Sequence, residues 1–152
     1  MRALAALRPA TATDLDTVRS LLREAQLPVD GLDEQFGASY VLAQSGADVV
    51  GAMGIERYGD YGLLRSAVTV PGWRGKGLGQ ELTRERLGWA RSQNLRAIYL
   101  LTTTAADFFA RFGFQHVPRP EVPAEIRGSR EFKSACPESA AVMVLSLDDP
   151  AR

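Results

Sequence analysis

The sequence predicts one mixed α/β (α+β) domain. Three observations carry that prediction. Strand-like and helix-like apolar patterns follow one another in the order βα(α)βββαβαβ, the element order of a mixed α/β domain. The chain has 152 residues, 45% of them hydrophobic, which is enough for one buried core and too short for two typical domains with a linker. A glycine-rich turn lies where a predicted strand ends and a helix begins. With no internal repeat and no low-complexity tract, residues 1–152 read as a single domain.

The elements follow in order. Ala3 to Leu7 reads as a first strand ending at Arg8-Pro9. Thr11 stands three positions before Asp14, a capping-box-like start, and Leu15, Val18, Leu22 and Ala25 continue at helical spacing. The helix stops near Leu27-Pro28, and a short helix around Asp33 to Ser39 is weakly signalled. Tyr40–Ala43 and Val49–Ile55 pair across the turn residues Ser45 to Asp48. Gly59 to Gly62 turns into a strand from Leu63 to Val70, which Pro71 ends. Leu78, Leu82 and Trp89 share one side of a second helix that Asn94 stops, with Leu87 and Ala90 widening the stripe. Ala97–Leu101 is a continuous apolar run, as in a strand buried on both faces. Ala105 to Phe112 is a short helix closed by Gly113, Phe114–Val117 a strand, and Ala140–Leu147 a last strand. Residues 118–139 hold four of the eight prolines and read as a loop with one helical turn.

Composition excludes several classes. Lys plus Arg and Asp plus Glu each total 18, so bulk charge offers no attraction to nucleic acid or an anionic membrane. Only Lys76 and Lys133 are lysines; sixteen basic residues are arginines. A lone Cys136 and a lone His116 leave no intramolecular disulfide, no cysteine zinc site and no His-rich metal centre, so no metal is expected. No apolar run approaches the roughly 20 residues of a membrane span. Arg2 is followed by no continuous apolar core before Arg8-Pro9, a poor signal peptide, so the expected location is the cytoplasm.

The richest local signal is the run from Val70 to Gly79, PGWRGKGLG after the valine. Small residues let main-chain N–H groups approach a ligand closely, and the following helix presents its positive end, so the run suits a pyrophosphate. Arg74 and Lys76 add charge. A Walker loop needs Ser or Thr after Gly-Lys, where Gly77 stands, and the dinucleotide fingerprint fails after Gly79. The plain alternative is a glycine-rich turn without a ligand.

With Arg74, Gly77 and Gly79 matching Gln/Arg-x-x-Gly-x-Gly/Ala, Pro71 three residues upstream, and the aromatic segment Phe108–Phe114 downstream, the chain resembles the GNAT N-acetyltransferases from about Leu7 to Phe114. The resemblance implies a central mixed, mostly antiparallel sheet of about six or seven strands flanked by helices. It implies acetyl-CoA as co-substrate, with the backbone of Ala67, Val68 and Thr69 along pantetheine. Arg74, Gly75, Lys76, Gly77, Leu78 and Gly79 would hold the pyrophosphate, and Asp107 and Phe108 would flank the thioester end. Leu100–Ala105 with Phe108-Phe109 is similar to the amino-acid N-acetyltransferase branch that includes N-acetylglutamate synthases. The tail segments Val122–Ile126, Ser129–Phe132 and Cys136–Ala140 resemble the arsenic-resistance N-acetyltransferases of that branch. Dimers are common in the resembling families, and no interface is readable here.

Two groups common in the superfamily are missing: Phe109 stands at the usual tyrosine acid, and Leu63 at the usual strand glutamate. A thiol pKa near 8.5 makes the thiolate a fair leaving group, so positioning can carry much of the rate. The acceptor ammonium must still lose a proton, and Glu56, otherwise a solvated turn residue, is the candidate base. Thr104 joins it as a candidate catalytic group, and Thr102, Thr103 and Thr104 suit a cleft where a sheet opens, with at least one expected to cap the next helix. Arg65 suits a carboxylate fork or a surface salt bridge, and strand alternation puts Arg65 and Ser66 on opposite faces, so one of them meets the cleft. The branch resemblance adds Arg130 and Ser139 as substrate contacts. Leu27, Pro28 and Leu32 suit an apolar lid or the core, and His116 a plain strand position. Cys136 reads as a packed small side chain. One thiolate is a poor arsenic(III) site, so arsenic would enter only within an amino-acid substrate.

The expected activity is direct acetyl transfer from acetyl-CoA to a small amino-acid-like amine, arsenic-bearing or glutamate-like. The rivals are a catalytically inert acyl-CoA sensor, which Phe109 and Leu63 favour, and an acetyltransferase of peptide N-termini.

Overall fold

Alternating side chains lay down seven strands in a computed structural model that describes residues 5–135 and 140–147. They are β1 (Ala6–Pro9), β2 (Tyr40–Ser45), β3 (Asp48–Tyr58), β4 (Tyr61–Thr69), β5 (Ala97–Thr102), β6 (Gln115–His116) and β7 (Ala141–Ser146). They form one sheet in the order β1-β2-β3-β4-β5-β7-β6, with every pair antiparallel except β4–β5. This is the mixed, mostly antiparallel sheet the sequence predicts.

Four helices flank it: α1 (Leu15–Glu24), α2 (Leu78–Ser92), α3 (Ala106–Ala110) and α4 (Ala124–Arg127). Asp14 accepts the Thr11 N–H at 2.8 Å and a two-pronged contact from Arg8 at 2.9 Å per bond, which fixes the entry to α1. Those bonds hold the Asp14 carboxyl far below the usual carboxylate range. Along α2, Arg86 is fully buried and donates to the Ser39 carbonyl at 2.6 Å, tying the helix to the chain entering β2.

Several boundaries differ from the sequence expectation. β1 continues through Pro9, which an edge strand tolerates because its outer N–H has no ladder partner to lose. Between Asp33 and Ser39 there is no helix beyond a single 3-10 turn at Leu32–Glu34. Residues 118–135 are more structured than a loop: a 3-10 turn (Arg119–Glu121), α4, and a wide π-type turn (Glu131–Ala135).

One face of the sheet packs Val41, Ile55, Leu64, Ile98, Leu100 and Met143 against Leu78, Leu82 and Leu87 of α2 and Phe109 of α3. The other face carries two separate apolar clusters. Val18 and Leu22 of α1 cover Leu42, Ala52 and Val68, while Val122 and Ile126 cover Leu63, Tyr99 and Val142.

Two irregularities shape the middle of the sheet. The β4–β5 ladder consists of Tyr61↔Ala97, Gly62↔Ile98 and Leu63↔Tyr99 and then stops. The β3–β4 register runs from Ala52↔Val68 to Gly54↔Arg65, so β4 spends one residue more than β3 over this stretch. That bulge contains Ser66 at φ 60°, a left-handed conformation uncommon outside glycine and a recurrent feature of functional sites.

Candidate functional site

Beyond Leu63↔Tyr99 the two parallel strands diverge, and the wedge between them opens into a cavity of about 400 Å³. Its walls are Leu64–Ala67 of β4, Leu100–Ala105 at the end of β5, Phe109, Glu131, Ala140, and Gln26–Pro28 after α1. A second hollow of about 350 Å³ lies farther along, between Thr69, the loop from Trp73 to Gln80, and Phe108 and Arg111. Two hollows thus lie along β4, the larger at the β4/β5 split and the smaller at the glycine loop.

The loop fits a diphosphate. Gly75 and Gly77 sit at φ 77° and 85°, where a side chain would strain the backbone, and a Cβ at Gly72, Gly75 or Gly77 would meet no atom within 4 Å. Glu81 N–H starts the helical bonding by donating to the Gly77 carbonyl. The N–H groups of Leu78, Gly79 and Gln80 precede that first helical donor and have no intrahelical acceptor. They are an array of donors at the positive end of a helix fifteen residues long. Arg74 Nε donates to the Thr69 carbonyl at 3.2 Å, and Lys76 lies 5.8 Å from the Trp73 ring centroid. From Leu64 to Thr69, β4 has no ladder with β5, so Ala67, Val68 and Thr69 lie on an open strand edge. Phe108 borders the hollow beside Gly79, while Asp107 is exposed. Arg111, which also lines the hollow, was not singled out from the sequence.

A buried ionic cluster borders the chamber at the β4/β5 split. Arg65 is 3% exposed. Its Nη1 donates to the Asp30 carbonyl at 2.7 Å and to Glu56 at 3.3 Å, and its Nη2 donates to the Pro28 carbonyl at 3.2 Å. Glu56 also accepts from the Tyr58 hydroxyl at 2.7 Å. Burial pushes the Glu56 carboxyl above its ordinary range, against the opposing pull of Arg65. On the other side of the guanidinium, Glu131 Oε1 lies 3.9 Å from Arg65 Nε. Glu131 Oε2 and Arg65 Nε are both buried without a hydrogen-bond partner. Burial raises the Glu131 carboxyl to about 7.

This arrangement revises several expectations. Glu56 is neither a solvated turn residue nor part of the chamber wall; it is buried in β3 with its oxygens on Arg65 and Tyr58. Arg65 is neither a free fork nor a surface ion pair, because two of its nitrogens pin the 28–30 loop. Arg65 and Ser66 both line the chamber, since the bulge breaks the alternation that would have separated them. Arg130 is absent from the chamber wall; it leans over Gly31 and pairs with Glu34 at 3.7 Å, with its side chain 62% exposed. Thr102 and Thr104 both line the chamber; none of the threonines caps α3, whose N-cap is Ala105, and Thr102 Oγ1 accepts the Ala105 N–H at 2.9 Å in the turn before it. Leu27 and Pro28 form chamber wall, whereas Leu32 is core. Ser139 and Cys136 lie outside the described residues. Phe109 is buried against Phe108 and Phe114, and Leu63 against Val122 and Ile126, so neither position supplies a proton. Glu131 went unnoticed in the sequence because nothing local sets it apart from its neighbours; its burial comes from contacts far along the chain.

Comparison with known proteins agrees with the geometry. The model of the acetyltransferase (GNAT) family matches residues 8–114. The YwlB protein of Bacillus subtilis (strain 168), described as uncharacterized, is 28% identical over 141 residues, 91% of this chain and 94% of that one. Rv2747 from Mycobacterium tuberculosis, solved in complex with CoA and NLQ, superposes with a TM-score of 0.78 at 23% identity, covering 93% of this chain and 99% of that one. N-acetylglutamate synthase from Neisseria gonorrhoeae, complexed with coenzyme A and L-arginine, superposes with a TM-score of 0.79 at 19% identity over 97% of this chain. This chain spans only 34% of that larger protein. Among the described residues no helix is long and apolar enough to cross a membrane.

Proposed function

From the premise that the chain belongs to the acetyltransferase (GNAT) family and has its acetyl-CoA-binding fold, we propose that it acetylates the amine of a small amino-acid-like acceptor by direct transfer. The observation that carries this is the placement of two hollows along β4. The start of α2 borders one at Thr69, the other lies against Leu64–Ala67 at the β4/β5 split, and the unpaired edge of β4 runs between them. The loop would hold the diphosphate of acetyl-CoA, and the co-substrate would supply the activated acetyl group. Ser66, Thr102 and Thr104 line the chamber with hydroxyls able to orient a polar acceptor. Phe109 lines the chamber and Phe108 the loop hollow, so the two rings stand between them, where the thioester would lie.

The chamber volume fits a single amino acid better than a peptide, which would need an open exit past Gln26–Pro28. Structural relatives solved with CoA together with L-arginine or N-acetyl-glutamate are consistent with an amino-acid acceptor. An arsenic-bearing amino acid remains within this substrate class through the resemblance of the tail. No nucleophile is needed: the acceptor nitrogen attacks the thioester in a ternary complex, and Arg65 with Glu56 keeps the loop wall in place.

A thiol-release assay with acetyl-CoA and panels of amino acids and short peptides tests the proposal. The expected result is CoA release with at least one free amino acid and none with peptides. Thermal stabilisation by acetyl-CoA without turnover on any amine would instead establish the inert sensor that Phe109 and Leu63 favour.

A further inference from the structure

We propose that Glu131 is the catalytic base of this site, taking a proton from the acceptor's ammonium group in the chamber at the β4/β5 split. The assignment rests on the acyl-transfer function proposed above and adds the group that family position alone does not supply. Glu131 is 4% exposed, yet it lines the chamber, and its Oε2 has no partner. A carboxylate oxygen buried without a partner is costly, so its persistence beside an open chamber points to a ligand that supplies a donor. An ammonium is such a donor.

The charges surrounding Glu131 favour that partner. Arg65 on β4 stands between Glu131 and Glu56 of β3, so one guanidinium faces two carboxylates. The Tyr40 hydroxyl on β2 touches Ser66 at 3.4 Å and is kept neutral by burial, and Tyr58 spends its hydroxyl on Glu56. The Arg130–Glu34 pair lies outside the chamber. With both carboxylates ionised the cluster has one negative charge in excess, which an incoming cation balances. With Glu131 protonated the cluster is neutral, which suits the state after proton transfer. Burial places the Glu131 carboxyl at about 7, where a base is both available and strong enough.

The backbone holds Glu131 firmly for this role. Ser129 is buried and its Oγ accepts the Phe132 N–H at 3.2 Å; Arg119 stacks over the Phe132 ring at 5.3 Å; Ile126, fully buried, anchors the preceding turn. In the reaction, Glu131 takes one proton from the ammonium, and the freed lone pair forms the C–N bond at the thioester carbonyl as the C–S bond breaks. The second proton leaves nitrogen for the departing thiolate, giving free thiol, and Glu131 returns its own proton to solvent.

The test is Glu131→Gln, assayed from pH 5.5 to 9.5 with the acceptor found for the wild type. The wild-type rate should rise through pH 7 and level off. The variant should fall about 10²- to 10³-fold at pH 7 and then recover with rising pH as the amine deprotonates itself. A purely structural role would lower the rate by the same factor at every pH. A second readout needs no activity. A carboxyl raised in the folded state destabilises the fold as pH rises through 7, so the wild-type melting temperature should drop there, and the variant should lack that drop. If the wild type turns over and Glu131→Gln matches it in rate and profile, the base assignment falls and acyl transfer stands. If the wild type acetylates no amine, both fall. Should Glu131→Gln fail to fold, Glu131→Asp must keep the rise near pH 7 at reduced rate, and a flat profile overturns the assignment.

Discussion

The glycine loop and the acceptor chamber lie along one strand, yet they draw on the chain in different ways. Apart from Phe108 and Arg111, the loop hollow is lined by one run from Thr69 to Gln80. The chamber collects six separate stretches, from Gln26 to Ala140. In the proposed function the loop would bind through main-chain donors whose direction is set by two left-handed glycines and a helix start. The chamber depends on side chains from β3, β4 and the 129–132 segment, all meeting at Arg65. A local site of this kind tolerates changes elsewhere; a site gathered around one buried cation does not. Arg65 should therefore be the fold's most sensitive polar position, and the loop glycines should affect cofactor affinity more than stability.

The largest expected effect comes from Arg65→Met, which leaves Glu56 and Glu131 buried without their cation. The cost should be about 3–5 kcal/mol, or roughly a 10 °C fall in melting temperature for a domain of this size. Both carboxyls would then titrate still higher in the folded state than unfolded, so the deficit should be greatest at pH 8 and shrink toward pH 5. Thermal denaturation at the two pH values checks this, and an equal deficit at both would show that charge is not the cause.

An intermediate effect belongs to Gly77→Val. Forcing a β-branched residue to φ 85° costs about 1–2 kcal/mol and crowds the free N–H groups. Acetyl-CoA affinity should weaken about 10- to 100-fold, the apo melting temperature should fall by about 2–8 °C from the strain, and the acceptor KM should hold. Calorimetric titration with CoA measures the loss; unchanged affinity would remove the loop from the cofactor site.

Arg130→Ala should have the smallest effect. Its side chain is largely exposed and directed to Glu34, so stability should move by less than about 0.5 kcal/mol and the acceptor KM by less than about twofold. A large rise in KM would mean that Arg130 reaches the acceptor after all, and that the chamber extends beyond the walls seen here.

The same contrast explains what could be read in advance. Element order, the Asp14 cap, the proline at Pro71 and the helix stop at Asn94 were visible because each depends on its near neighbours. The Ser66 bulge was not, because alternation is the default reading of a strand and an extra residue leaves no compositional trace. Glu56 was noticed and given the wrong surroundings, since burial of a strand-end carboxylate depends on an arginine nine residues later. Glu131 was passed over for the same reason at longer range.

By itself, the sequence determined the order of the main strands and helices, where α2 stops, and that glycines crowd its start. Those properties follow from steric limits and hydrogen bonding over a few residues. Only the tertiary structure decided where β4 leaves β5 and which carboxylate faces the opening, because packing from both sheet faces sets the split and burial sets the proton affinity of each group.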